Sequence, residues 1–95
     1  MTRLRAYEIA KKHMEYEPYS ISWYELADGR HLRIQTVSEP GYYDDTNYVT
    51  CIDLEEENGD ACECHTTKPD DIDDITHWIY WMCWNLEEKG VVPCE

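Results

Sequence analysis

Two turn pairs divide this chain. Asp28-Gly29 and Asn58-Gly59 each stand between segments rich in strand-forming residues. A two-residue turn with glycine second reverses a strand tightly, because glycine accepts the positive φ that strand twist demands. Each pair therefore predicts a β-hairpin, and each fixes a register. In the first, residues 19–27 pair with residues 30–37, with Trp23 opposite Ile34 and Glu25 opposite Leu32. One face then collects Ile21, Trp23, Leu32 and Ile34 and should meet the helices. The other carries Ser20, Ser22, Tyr24, Leu26, His31, Arg33 and Gln35. In the second, residues 48–57 pair with residues 60–66, placing Glu56 opposite Ala61, Glu55 opposite Cys62 and Leu54 opposite Glu63. Val49, Cys51, Asp53, Glu55, Cys62 and Cys64 share one face; Tyr48, Thr50, Ile52, Leu54, Ala61, Glu63 and His65 share the other. Ile52 and Leu54 are expected to face the core.

A helix is expected on either side of the hairpins. Residues 3–17 carry Leu4, Tyr7, Ala10 and Met14 on one stripe and Ala6, Ile9, His13 and Tyr16 on its neighbour. Thr2 is placed to cap this helix and Pro18 to stop it. Residues 70–88 form the second, with Thr67 or Asp70 as its cap, Pro69 at its entry and Gly90 at its exit. Ile72, Ile75, Ile79, Met82, Cys83 and Leu86 make its main apolar stripe; His77, Tyr80, Trp81 and Trp84 make a second. Trp78 and Trp81 are assigned to the core. Residues 38–46 read as a loop, and residues 90–95 give no structural signal. The expected fold is α+β over a single domain, residues 1–95. It has a four-stranded antiparallel sheet with both helices on one face, in the order α-β-β-β-β-α.

Charge narrows the function. The net charge is −13, which argues against bare nucleic acid or an anionic membrane as a partner and makes a basic surface the natural complement. The charge is uneven: residues 1–37 sum to +1 and residues 38–95 to −14. A surface that is merely solubilising would mix its signs throughout. No stretch has the apolar core of a signal peptide, and the apolar run 78–84 is far short of a membrane span. Five cysteines, an odd number, fit a reducing compartment better than a disulfide framework. A cytoplasmic protein is expected.

The acids concentrate in the second half. Asp53, Glu55, Glu56, Glu57, Asp60 and Glu63 crowd the second hairpin. Asp70, Asp71, Asp73 and Asp74 open the helix after it, and Asp44 and Asp45 precede it. A helix N-terminus is stabilised by one or two acids, about 0.3–1 kcal/mol each. Four exceed that need, and Asp70 and Asp74 at i,i+4 repel by about 0.2–0.5 kcal/mol. A local cost without structural gain points to function. Same-face carboxylates on a strand recur about every 6.8 Å, twice the rise per residue, and rows of them can imitate duplex phosphates. These twelve acids are the candidate partner-binding residues.

Other chemistry finds little support. Cys62-Glu63-Cys64-His65, with Cys51 diagonal to Cys64, raises a zinc site. The spacing matches no standard zinc pattern, so small buried cysteines are the default reading. There is no glycine-rich phosphate loop, no G-x-S-x-G and no H-E-x-x-H. No cofactor, metal or catalytic residue is assigned, and a non-enzymatic protein is expected.

In its size, acidity, α-β-β-β-β-α layout and carboxylates massed on the second half, the chain resembles small phage-encoded anti-CRISPR proteins that act as DNA mimics. The resemblance rests on these general features and on no motif. It implies a stoichiometric inhibitor that occupies the DNA- or PAM-binding groove of a Cas complex in the host bacterial cytosol. The alternative is an immunity, antitoxin or regulatory protein that binds through Tyr80, Trp81 and Trp84. Both readings allow a monomer or a homodimer.

Overall fold

A computed structural model of the protein describes residues 1–15, 21–38 and 48–91. The element order is α1 (Arg3–Met14), β1 (Ile21–Leu26), β2 (His31–Ser38), β3 (Tyr48–Glu55), β4 (Ala61–Thr67), α2 (Ile72–Met82) and β5 (Glu88–Val91). The strands form one antiparallel sheet in the order β4-β3-β2-β1-β5. The fold is thus α+β, with both helices packed on one face of the sheet and, among the described residues, five strands rather than four.

Thr2 caps α1 as its sequence suggests, its hydroxyl accepting from the Arg5 N–H at 3.1 Å. At α2 the cap is Asp71, neither Thr67 nor Asp70. Its Oδ1 accepts from the Asp74 N–H at 3.0 Å. This helix ends at Met82, six residues before the expected end, because the chain turns there to build β5. The Met1 amino group donates to the carbonyls of Cys83 (3.1 Å) and Leu86 (2.6 Å), in the turn that follows α2. Glu88 in β5 then accepts a two-pronged contact from Arg5 of α1, at 2.5 and 2.8 Å. Glu88 raises the Arg5 pKa by that hydrogen bond. An arginine fork on a carboxylate fixes orientation as well as position, so α1 and β5 are held to each other across the edge of β1.

The first hairpin corrects the expected register. Leu26 N–H donates to the Arg30 carbonyl at 2.9 Å, and Gly29 N–H to the Leu26 carbonyl at 3.0 Å. The loop is therefore Ala27-Asp28-Gly29, three residues, with Gly29 at φ +90. A three-residue loop closed by a left-handed glycine is the next most common hairpin after the two-residue form. It places Trp23 opposite Arg33 and Tyr24 opposite Leu32. This one-residue slip inverts β1: Ser22, Tyr24 and Leu26 are buried under the helices, and Trp23 lies half-buried on the other face.

The second hairpin has the same turn geometry, with Glu56 N–H donating to the Asp60 carbonyl at 2.8 Å. Here a register shift between Leu54 and Glu55 absorbs the extra residue. Glu55 meets Ala61 instead of Cys62, and the expected pair Glu56–Ala61 does not form. Beyond the shift, Leu54 opposes Glu63 as expected, and Thr50, Ile52 and Leu54 are buried.

The core lies between sheet and helices. Ala6, Ile9 and Ala10 of α1 are fully buried, as are Ile75 and Ile79 of α2, against Leu26, Leu32, Ile34 and Ile52. Full burial of an isoleucine or leucine side chain stabilises by about 1.5–3 kcal/mol. His13 is buried with them, but not bare. Its Nδ1 is 2.9 Å from the Ser22 hydroxyl, its Nε2 is 3.0 Å from the Thr36 hydroxyl, and Thr36 is 2.8 Å from the Thr50 hydroxyl. These bonds satisfy polar atoms that the core would otherwise penalise. Burial lowers the His13 pKa. Trp78 stacks on His65 of β4, ring centroids 3.7 Å apart, and packs against the core. Trp81 does not join it: Trp81 is 54% exposed and Trp84 59%. Among the described residues no helix is long and apolar enough to cross a membrane.

Candidate protein-binding surface

The unequal charge of the two halves of the sequence becomes an unequal charge across the molecule. His13 reaches β1 and β2, and Arg5 reaches β5, so α1 lies over that side of the sheet. It brings Arg3, Arg5, Lys11 and Lys12 with it. Trp78 of α2 lies on β4, at the opposite edge. The stretch 48–82, which builds β3, β4 and α2, contains ten acids and a single basic residue, Lys68.

Within that side the acids form two groups. Glu56, Glu57 and Asp60 sit exposed at the β3–β4 turn; Asp70, Asp71 and Asp73 sit exposed at the start of α2. These groups flank opposite ends of β4. Seven residues of strand separate them by about 20 Å. The side chains of Glu56, Glu57, Asp70 and Asp73 make no ion pair among the described residues. Asp60 accepts from the Asn58 side-chain amide at 3.1 Å. Glu63 lies on β4 between the groups, exposed, with its carboxylate 3.0 Å from His65 Nε2. Asp74 is half-buried and lines a shallow hollow with Lys68, Tyr48 and Thr67. Asp44 and Asp45 lie outside the described residues.

Asp53 and Glu55 belong to a different setting. Both point to the face of the sheet away from the helices, where Arg33 stands between them on β2. Arg33 Nη1 is 3.8 Å from Asp53 and 3.4 Å from Glu55, and Nη2 donates to Gln35 at 2.7 Å. The two carboxylate side chains are only 14% and 13% exposed. Their charge is largely engaged inside the molecule. This arginine was legible in the sequence only as a polar residue of β2. Its role depends on the register, which sets it directly opposite Asp53.

The same face holds Cys51 and Cys64. A hydrogen bond to Asp53, helped by burial, pushes the Cys64 thiol up to about 11. Burial, then the charge of Asp53, raises Cys51. Buried Cys83, under the helices, is pushed up to about 12 by desolvation. Such thiols are weak nucleophiles, because the thiolate is the reactive form. Cys51, Cys62, Cys64 and Cys83 are free thiols, and no three His, Cys, Asp or Glu side chains among the described residues converge to hold a metal. Beside this group, Trp23, His31, Glu55, Glu57 and Asn58 line an open cleft of about 290 Å³.

The aromatic surface is separate again. Trp81 is exposed near the end of α2 and Trp84 in the turn just after it, and Leu4, Tyr7 and Met14 are exposed along one stripe of α1. Tyr80 is half-buried under Arg3, whose guanidinium lies 5.7 Å from the ring centre. Comparison of the chain with protein-family models, with curated proteins and with solved structures gives no match.

Proposed function

We propose that this protein is a non-enzymatic, stoichiometric inhibitor of a basic nucleic-acid-binding protein, which it blocks by presenting carboxylates where that protein takes phosphates. The observation that supports this reading is the pair of exposed acidic groups at the two ends of β4, with the basic side chains of α1 on the opposite side of the fold. Duplex phosphates are held chiefly by lysine and arginine, and the affinity falls steeply with salt. A protein that substitutes for phosphate inherits that dependence. A Cas complex with a basic DNA- or PAM-binding groove is the target class that fits best, in the bacterial cytosol.

The test is capture of partners from bacterial lysate on the immobilised protein, washed at low and at high salt and challenged with duplex DNA. A basic DNA-binding protein released by salt and displaced by DNA is the expected result. A partner that resists salt and that DNA cannot displace overturns mimicry. That outcome favours a second reading, a toxin-capping or regulatory protein that binds through Trp81 and Trp84. Two tryptophans more than half exposed, at the end of α2 and in the turn after it, are its specific support.

A further inference from the structure

The strand between the two acidic groups is itself an open edge. β4 is outermost among the described strands of the sheet, and Ala61 to Cys64 are exposed. Along an edge strand, every second residue directs its N–H and C=O away from the sheet with no strand to receive them. Proteins defend such edges with lysine, proline, short strands or bulges. The opposite edge, β5, is only four residues long and carries Lys89. β4 has seven residues and neither lysine nor proline. Its irregularity is confined to the turn end, and Glu63 to Thr67 run in unbroken register with Thr50 to Leu54.

What defends this edge is the charge at its ends. A second copy paired along β4, in either direction, would bring acidic groups against acidic groups. An extended segment of opposite charge meets attraction at both ends instead. We infer that the β4 edge takes an extended, lysine- or arginine-rich segment of the partner as an added strand. This rests on the reading that the partner is basic. Backbone pairing supplies what charge alone lacks, a fixed direction and register. On the helix side the added strand would run beside Glu63, His65 and the stacked Trp78. On the other side it would run beside Cys64 and Thr66.

The experiment titrates the whole protein with a short peptide alternating lysine and valine, and with the same peptide N-methylated at alternate residues. Methylation removes the peptide's edge donors and keeps its charge. Hydrogen exchange across β4 and the affinity of each peptide are the readouts. Protection of β4 amides by the first peptide, with binding weakened on the order of tenfold or more by methylation, is the expected result. Equal binding of both peptides, or protection elsewhere, overturns strand addition and leaves the acidic surface as the binding determinant. Binding of neither also overturns it; the inhibitor reading then stands or falls on whether lysate yields a salt-released partner. Protection of β4 in the protein alone, rising with its concentration, overturns the choice of occupant in favour of a second copy.

Discussion

Arg33 is the place where the charge economy of this fold is most exposed to test. It stands 3.4 Å from Glu55 and 3.8 Å from Asp53, two carboxylates that the sheet has largely removed from water. At an effective dielectric of about 20, unit charges about 4 Å apart attract by about 4 kcal/mol. Desolvation and the solvent that reaches Arg33, whose side chain is 30% exposed, cancel much of that gross figure. Removing one member of a fully buried pair costs about 3–5 kcal/mol, whereas exposed pairs contribute about 0–1 kcal/mol. Arg33→Leu should therefore cost about 2 kcal/mol, which for a domain of this size lowers Tm by on the order of 10 °C. Thermal and urea denaturation of the variant give the number. Adding Asp53→Asn and Glu55→Gln to Arg33→Leu removes the orphaned charges and should restore about half of the loss or more, a non-additivity that only coupled side chains show. A loss below about 0.5 kcal/mol, the range of an ordinary surface substitution, would refute the argument. So would a triple variant no more stable than the single one. Asp53 and Glu55 would then belong with the free acids of the binding surface.

Three further outcomes are expected. Asp71→Ala removes the oxygen that accepts from the Asp74 N–H and should cost about 1 kcal/mol in urea denaturation, most of it recovered by Asp71→Ser. His13 has its folded pKa lowered by burial, so below the ordinary histidine range the unfolded chain takes up a proton that the folded one refuses. Its contribution to stability is present above the unfolded pKa of about 6.5 and is lost as pH falls below it; the pH dependence of Tm in wild type minus that in His13→Gln should show this slope, and parallel curves would contradict it. In thiol labelling near pH 8, exposed Cys62 should react before the other described cysteines. Cys64, exposed but held to about 11 by Asp53 and burial, should lag, and Cys83, held to about 12, should react only on unfolding.

The parts of the fold that the sequence announces are those set by local chemistry. Thr2, the two glycine turns and the apolar stripe of Ile75 and Ile79 each act over a few residues. The register of the first hairpin was not legible, because β1 is apolar on both alternations: Ile21 and Trp23 compete with Tyr24 and Leu26. The choice between two- and three-residue turns then decides the face, and the helices above settle that choice. β5 was hidden for another reason. Glu-Lys-Gly-Val has no strand signature, and its place is made by Arg5 and by the free edge of β1. Of the candidate site, the density of acids was readable but their grouping was not. Neutralisation by Arg33 and separation by β4 are facts of register and topology.

That separation has a consequence for discrimination. About 20 Å of strand between two acidic groups is more than twice the screening length of about 8 Å at physiological ionic strength. If they bind a basic partner as proposed, the groups would act as two anchors rather than one diffuse charge. Once one is engaged, the other is presented to the same partner at a fixed offset, and the second contact forms at a high effective concentration. A partner whose basic patches match the offset gains from both anchors. One with equal total charge at another spacing gains from one alone. On the proposed reading the molecule measures a distance, and basic proteins would be sorted by where their charges lie.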